Sequence, residues 1–243
     1  PVIFLGVTTA PALMNALDDP DLVFNSDYRC PDLYEGGDRY FAASDLRTTE
    51  GWYKQSIWHT NFIPDAFNVS IDPLDQKVRG GLLTGYRMGK RFPHGHISQW
   101  PEGRYHKAHY HGPGAILLGL DGEGYVLAWP SELGPQPYQT GHADAVHRVN
   151  WRRNSIYSPP NAYFHQHLNA GHGPARHAAV YGMPLPLAAQ VPETDGSWRG
   201  FLSVREGGTL IEYEDEDPQI RADFAQELAK KGIACAMPSL SPR

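Results

Sequence analysis

A chain of 243 residues, 41% apolar and 20% charged, is long enough for one generous globular domain or for a core with long extensions. Its net charge of −6 argues against a nucleic-acid partner, no apolar stretch reaches the length of a membrane span, and the start lacks the basic region of a signal peptide. Cys30 and Cys235 are the only cysteines, so a disulfide scaffold is excluded as the basis of the fold and a reducing cytoplasm is the default compartment.

Residues 1–50 read as an irregular N-terminal arm that wraps a core or a partner subunit. Ala10 to Leu17 can form a short helix, stopped by Asp18-Asp19-Pro20, and Pro31 and Gly36-Gly37 break the rest of the arm. Residues 51–184 change to strand and turn. The 25 glycines and 21 prolines of the chain favour short strands with many turns over helices. Strands are expected at Ser56 to Ile63, Gly80 to Met88, His94 to Trp100 and Tyr105 to His111. Further strands are expected at Ala115 to Leu120, Tyr125 to Trp129, Ala145 to Trp151, Ser155 to Tyr157, Tyr163 to Leu168 and His177 to Tyr181. Asp121-Gly122-Glu123-Gly124 reads as a tight hairpin turn. Such spacing indicates an all-β sandwich or barrel.

Residues 185–243 form an extension with a helix at about 218–231. Asp217 is the predicted N-cap, Pro218 the first position and Gly232 the stop. Ile220, Phe224 and Leu228 make one apolar stripe, expected to dock on the barrel or on a neighbouring subunit, and the arm and helix together predict a homodimer. The acidic run Glu212, Glu214, Asp215, Glu216 and Asp217 reads as a solvated loop leading into that helix.

Two histidine pairs carry the functional signal. Residues two apart on a strand share a face, so His109 with His111, and His165 with His167, each present two imidazoles side by side. Two such strands facing one cavity would gather three or four neutral nitrogen ligands, which suits a divalent transition metal and not calcium or magnesium. An H-x-H on an exposed strand is also a common coincidence in a chain with 12 histidines.

At these residues the chain resembles the cupins. Pro160, Ala162, His165 and Asn169 stand where that superfamily has P-x-G-x-x-H-x-x-x-N, with alanine for glycine. The glutamate that usually comes after the first H-x-H is missing, since Ala115 and Ile116 occupy its place. The gentisate 1,2-dioxygenase-like branch also lacks it, and His109, His111 and Ala115, then Phe164, His165, His167 and Asn169, are similar to its two motifs. The resemblance covers residues 95–182 and one cupin unit, where that branch usually has two. It implies a double-stranded β-helix, or jelly roll, with iron(II) on His109, His111 and His165 and His167 close by. Manganese, nickel and zinc are also accepted by imidazole.

His167 is read as a base or substrate anchor, or equally as a structural histidine. Tyr163 shares its face and is a candidate pocket residue, and Phe164, Trp100 and Trp129 are candidates for an apolar wall. His96, Ser98 and Trp100 share a face of the preceding strand, as lining rather than ligands. His106 is in the wrong phase unless a bulge intervenes, and His94, His142, His147, His172 and His177 read as non-ligands. Arg104 or Arg176 could pair with a substrate carboxylate. The leading expectation is a dioxygenase that cleaves a small aromatic or enolic chelating substrate with dioxygen. Its rivals are a lyase, isomerase or decarboxylase on zinc, manganese or nickel, and a non-catalytic binding barrel.

Overall fold

The computed structural model describes residues 4–8, 10–17, 19–27, 37–44, 46–50, 55–71, 80–88, 94–111, 115–181 and 202–240. Cys30, the Gly112-Pro113-Gly114 turn and the boundary expected at 184/185 lie outside the described residues.

Helix α1 (Ala10–Leu17) has the expected bounds. The aspartate and proline that end it also begin a second helix, α2 (Pro20–Phe24). Asp19 accepts a hydrogen bond from the Asp21 N–H, and Pro20 gives up no bond at the first position. The sheet starts inside the predicted arm, because β1 (Arg47–Glu50) pairs antiparallel with β2 (Gln55–His59), Arg47 opposite Trp58.

The remaining strands are β3 (Leu82–Arg87), β4 (His94–Trp100), β5 (Ala115–Asp121), β6 (Glu123–Pro130), β7 (His147–Arg152), β8 (Ile156–Tyr157), β9 (Tyr163–Asn169) and β10 (Ala175–Tyr181). One sheet runs β1-β2-β3-β4-β10-β5-β8 and the other β7-β6-β9. Residues 105–109, expected as a regular strand, make single bridges instead, Tyr105 to Leu168 and His109 to His165. They still take the fourth place beside β9. The two sheets therefore present the orders β4-β10-β5-β8 and (105–109)-β9-β6-β7, which is the interleaved pairing of a jelly roll.

Asp121-Gly122-Glu123 is a corner, and the expected hairpin is corrected accordingly. β5 pairs with β10 and β8 while β6 pairs with β7 and β9, so the chain changes sheets at this turn. Gly122 has φ +77°, and a Cβ there would lie 2.8 Å from the Ala175 Cα, so both the backbone and the close approach call for glycine.

The tail helix α3 (Pro218–Lys230) starts at Asp217, whose side chain accepts from the Gln219 N–H. Its stripe Ile220, Phe224 and Leu228 is buried against Tyr105, Phe164 and Leu168. The smaller sheet is thus covered on its outer face by the extension, while its inner face looks into the barrel. Two members of the acidic run join this core: Glu216 and Asp217 are buried, contrary to a solvated loop. Among the described residues no helix is long and apolar enough to cross a membrane.

Candidate metal centre

β9 alternates as a strand must. His165 and His167 face the barrel interior and Gln166 faces the outer core, where it touches Glu216. Across from it, His109 exchanges backbone hydrogen bonds with His165, and His111 comes next at the mouth. One ring nitrogen from each of His109, His111 and His165 lies within 4.8 Å of the others. Their ring centroids are 4.5 Å apart for His109 and His165, 4.9 Å for His111 and His165, and 5.6 Å for His109 and His111. His109 and His165 are buried and His111 is half-buried. These imidazoles sit between the two sheets of the jelly roll. The fold is a double-stranded β-helix, as the sequence resemblance implies.

The orientation of two ligands is set from behind. His109 Nδ1 lies 3.2 Å from the Lys107 carbonyl oxygen and His165 Nδ1 lies 3.1 Å from the Tyr163 carbonyl oxygen. A carbonyl can only accept, so each Nδ1 carries the hydrogen and each Nε2 keeps its lone pair for the cavity. The donor set fits a divalent transition ion: three neutral nitrogens with fixed tautomers for two of them, and no carboxylate in the cluster. Lys107 does this twice, since its carbonyl also accepts from His106 Nδ1 at 2.9 Å.

The barrel cavity is lined by those three histidines with His96, Ser98, Trp100, His106 and His167 on its polar side and Ala115, Leu117, Ala179 and Tyr181 on its apolar side. No Asp, Glu, Lys or Arg is among them. The space they leave is about 20 Å³, room for about one water. Tyr157 Oη stands 3.1 Å from His167 Nδ1 and 2.7 Å from His177 Nδ1. One hydroxyl carries one proton, so one of these rings donates to the oxygen and the other accepts from it. Burial holds His167 well below the ordinary imidazole range, with His177 adding to the effect, and pushes His177 down to about 3. Both rings are therefore neutral at pH 7. His96 Nδ1 lies 3.0 Å from the Tyr181 hydroxyl.

Several expected site residues are elsewhere. Tyr163 contributes its carbonyl to His165 while its ring stacks near His147, 6.5 Å away, because β9 leaves the cavity at that end. Phe164 and Trp129 belong to the outer core under α3, on the opposite face of the sheet. Arg104 lies on the Tyr213 side of its segment, and Arg176 binds Gln99 and the Ala66 and Val69 carbonyls, so neither guanidinium reaches the cavity. His96, Trp100 and His167 are brought to it. His106 also lines the cavity and His177 lies behind it on Tyr157, and neither belongs to the three-histidine cluster. The phase argument that set His106 aside needs an unbroken strand, which residues 105–111 do not form.

No family model and no curated protein matches the chain. Solved structures overlap it in part. An oxalate decarboxylase of Bacillus subtilis aligns with a TM-score of 0.35 and 13% identity over 43% of this chain and 26% of that one. CapF, solved with the inhibitor 3-isopropenyl-tropolone, aligns with a TM-score of 0.37 and 13% identity over 47% of this chain and 30% of that one. The chain thus spans under a third of either. Overlaps this partial say nothing about activity, and neither bears on the gentisate 1,2-dioxygenase-like branch.

Proposed function

We propose that this chain is a metal-dependent cupin dioxygenase in which His109, His111 and His165 hold iron(II) and a small chelating substrate is cleaved with dioxygen. The observation that carries the reading is the convergence of three imidazoles, two with Nδ1 already committed to a carbonyl, in a cavity with no charged side chain among the described residues that line it. Three neutral ligands leave a bound divalent cation its full charge, and that ion would supply the redox chemistry and the attraction for two substrate oxygens. The chain's own residues orient and shield. Ala115, Leu117 and Ala179 give an apolar wall that keeps bulk water away from the reacting atoms. His167, which lines the cavity and whose Nδ1 lies 3.1 Å from the Tyr157 hydroxyl, would take a proton from a chelating hydroxyl.

His167 also supports a second reading. A buried neutral base beside a Lewis-acidic ion of zinc, manganese or nickel suits a lyase, isomerase or decarboxylase. Metal content by mass spectrometry on protein purified without chelators, then oxygen uptake with β-diketones and hydroxybenzoates, separates the two. Iron with substrate-dependent oxygen uptake supports the first. Turnover under argon moves the assignment to the second. No bound metal after reconstitution overturns both and leaves a binding barrel.

A further inference from the structure

The segment bearing His109 and His111 is held from two sides. On one side is β9. On the other, residues 209–211 run antiparallel to it as one more strand: the Tyr110 N–H donates to the Thr209 carbonyl at 3.2 Å and the Ile211 N–H to the Ala108 carbonyl at 2.8 Å. The chain then continues along the same segment. Glu212 pairs with the Lys107 ammonium, and the Tyr213 hydroxyl donates to the Tyr105 carbonyl at 2.7 Å. Glu216 closes the run. One of its oxygens accepts from the Tyr105 hydroxyl and the other from Gln166 Nε2 at 3.1 Å. Gln166 stands between His165 and His167. A single buried carboxylate therefore touches both segments that supply the imidazoles, from the face opposite the cavity.

Burying a carboxylate is costly unless its partners are well placed, and an apolar side chain would fill the same space at less cost. Residues 105–111 need something of the kind. Their backbone is irregular: it bonds to β9 at residues 104, 106 and 109, while Tyr110 bonds to residue 209 instead, so the stretch that leads to His111 leans on what borders it on the far side. We infer that residues 209–216 are a clasp for the metal centre and that Glu216 is its positioning residue, holding the His109 segment and β9 in the relation that lets three imidazoles converge. This rests on the metal reading above.

Cobalt(II) titrated into the full chain tests it, read by the d–d absorption of the bound ion and paired with denaturant unfolding of each variant. Glu216→Ala removes both links. It is expected to weaken cobalt binding by about tenfold or more and to change the ligand-field bands. Glu216→Gln keeps both links, because the Gln166 Oε1 is without a partner and can accept from the new amide after that side chain turns over. It is expected to bind within about threefold of the parent chain. If Glu216→Ala does not fold, Glu212→Ala cuts only the part-exposed pairing to Lys107 and should weaken binding by about threefold. A Glu216→Ala chain that folds and binds cobalt as the parent does, or a Glu212→Ala chain that does so where Glu216→Ala does not fold, overturns the clasp and leaves the metal reading standing. A parent chain that binds no cobalt overturns the metal reading, and the clasp falls with it.

Discussion

His109 and His165 exchange both of their backbone hydrogen bonds, at 3.1 and 2.9 Å, so two of the three candidate ligands are a directly opposed antiparallel pair. Their separation is a property of the backbone ladder and survives loss of either side chain. His109→Ala and His165→Ala are therefore expected to fold and to lose nearly all bound metal, measured by mass spectrometry on the purified chains. His111, half-buried and without that pairing, is expected to retain partial occupancy when replaced by alanine.

Glu216 makes stability depend on pH in an unusual direction. Burial pushes its carboxyl from an ordinary 4.5 up to about 7, against the hydrogen bonds from Tyr105 and Gln166 and the charge of Arg221, which pull it down. Because the folded value is raised, the stabilisation is complete below the unfolded value and is lost as pH rises towards 7. A shift of this size corresponds to about 3 kcal/mol between pH 4 and pH 8. Glu216→Gln should flatten that part of the profile in denaturant titrations at several pH values. A parent chain equally stable at both ends, after the same comparison with Glu216→Gln, would contradict it.

Tyr157→Phe removes the one oxygen shared by His167 and His177 and leaves two buried ring nitrogens without it. The expected loss is about 1 to 3 kcal/mol by chemical denaturation, with metal content unchanged.

Gly122→Ala puts a side chain into a left-handed residue at φ +77° and against the Ala175 backbone. It should cost more than about 1 kcal/mol, read as a lowered unfolding midpoint. A neutral result would mean that the corner between sheets relaxes freely.

The elements with strong local signals were legible before any coordinates. β4 and α1 fall on their expected residues, and α3 begins at its Asp-Pro start, because alternation, capping and breakers are local. The histidine pairs were legible for the same reason. What was not legible depends on neighbours far away in the chain. Asp121-Gly122-Glu123 has the composition of a hairpin turn, and only the pairing of β5 with β10 and β6 with β9 makes it a corner. Glu216 sits in a run of acids that reads as solvated, and only Tyr105 and Gln166 explain its burial. His106 faces the cavity because its segment is irregular, a property imposed by the strands on either side.

The order of synthesis gives the C-terminal strand another consequence. All three candidate ligands precede residue 170, but the segment that borders them on the open side begins at residue 209, and Tyr105 is further tied to Met237. A nascent chain released as far as β10 has its imidazoles and lacks the edge that aligns them. On the clasp reading, loading of an ion is then a late event, after the tail has left the ribosome, and a chain truncated before residue 209 would keep the His109–His165 pairing and lack the edge that borders residues 108–110.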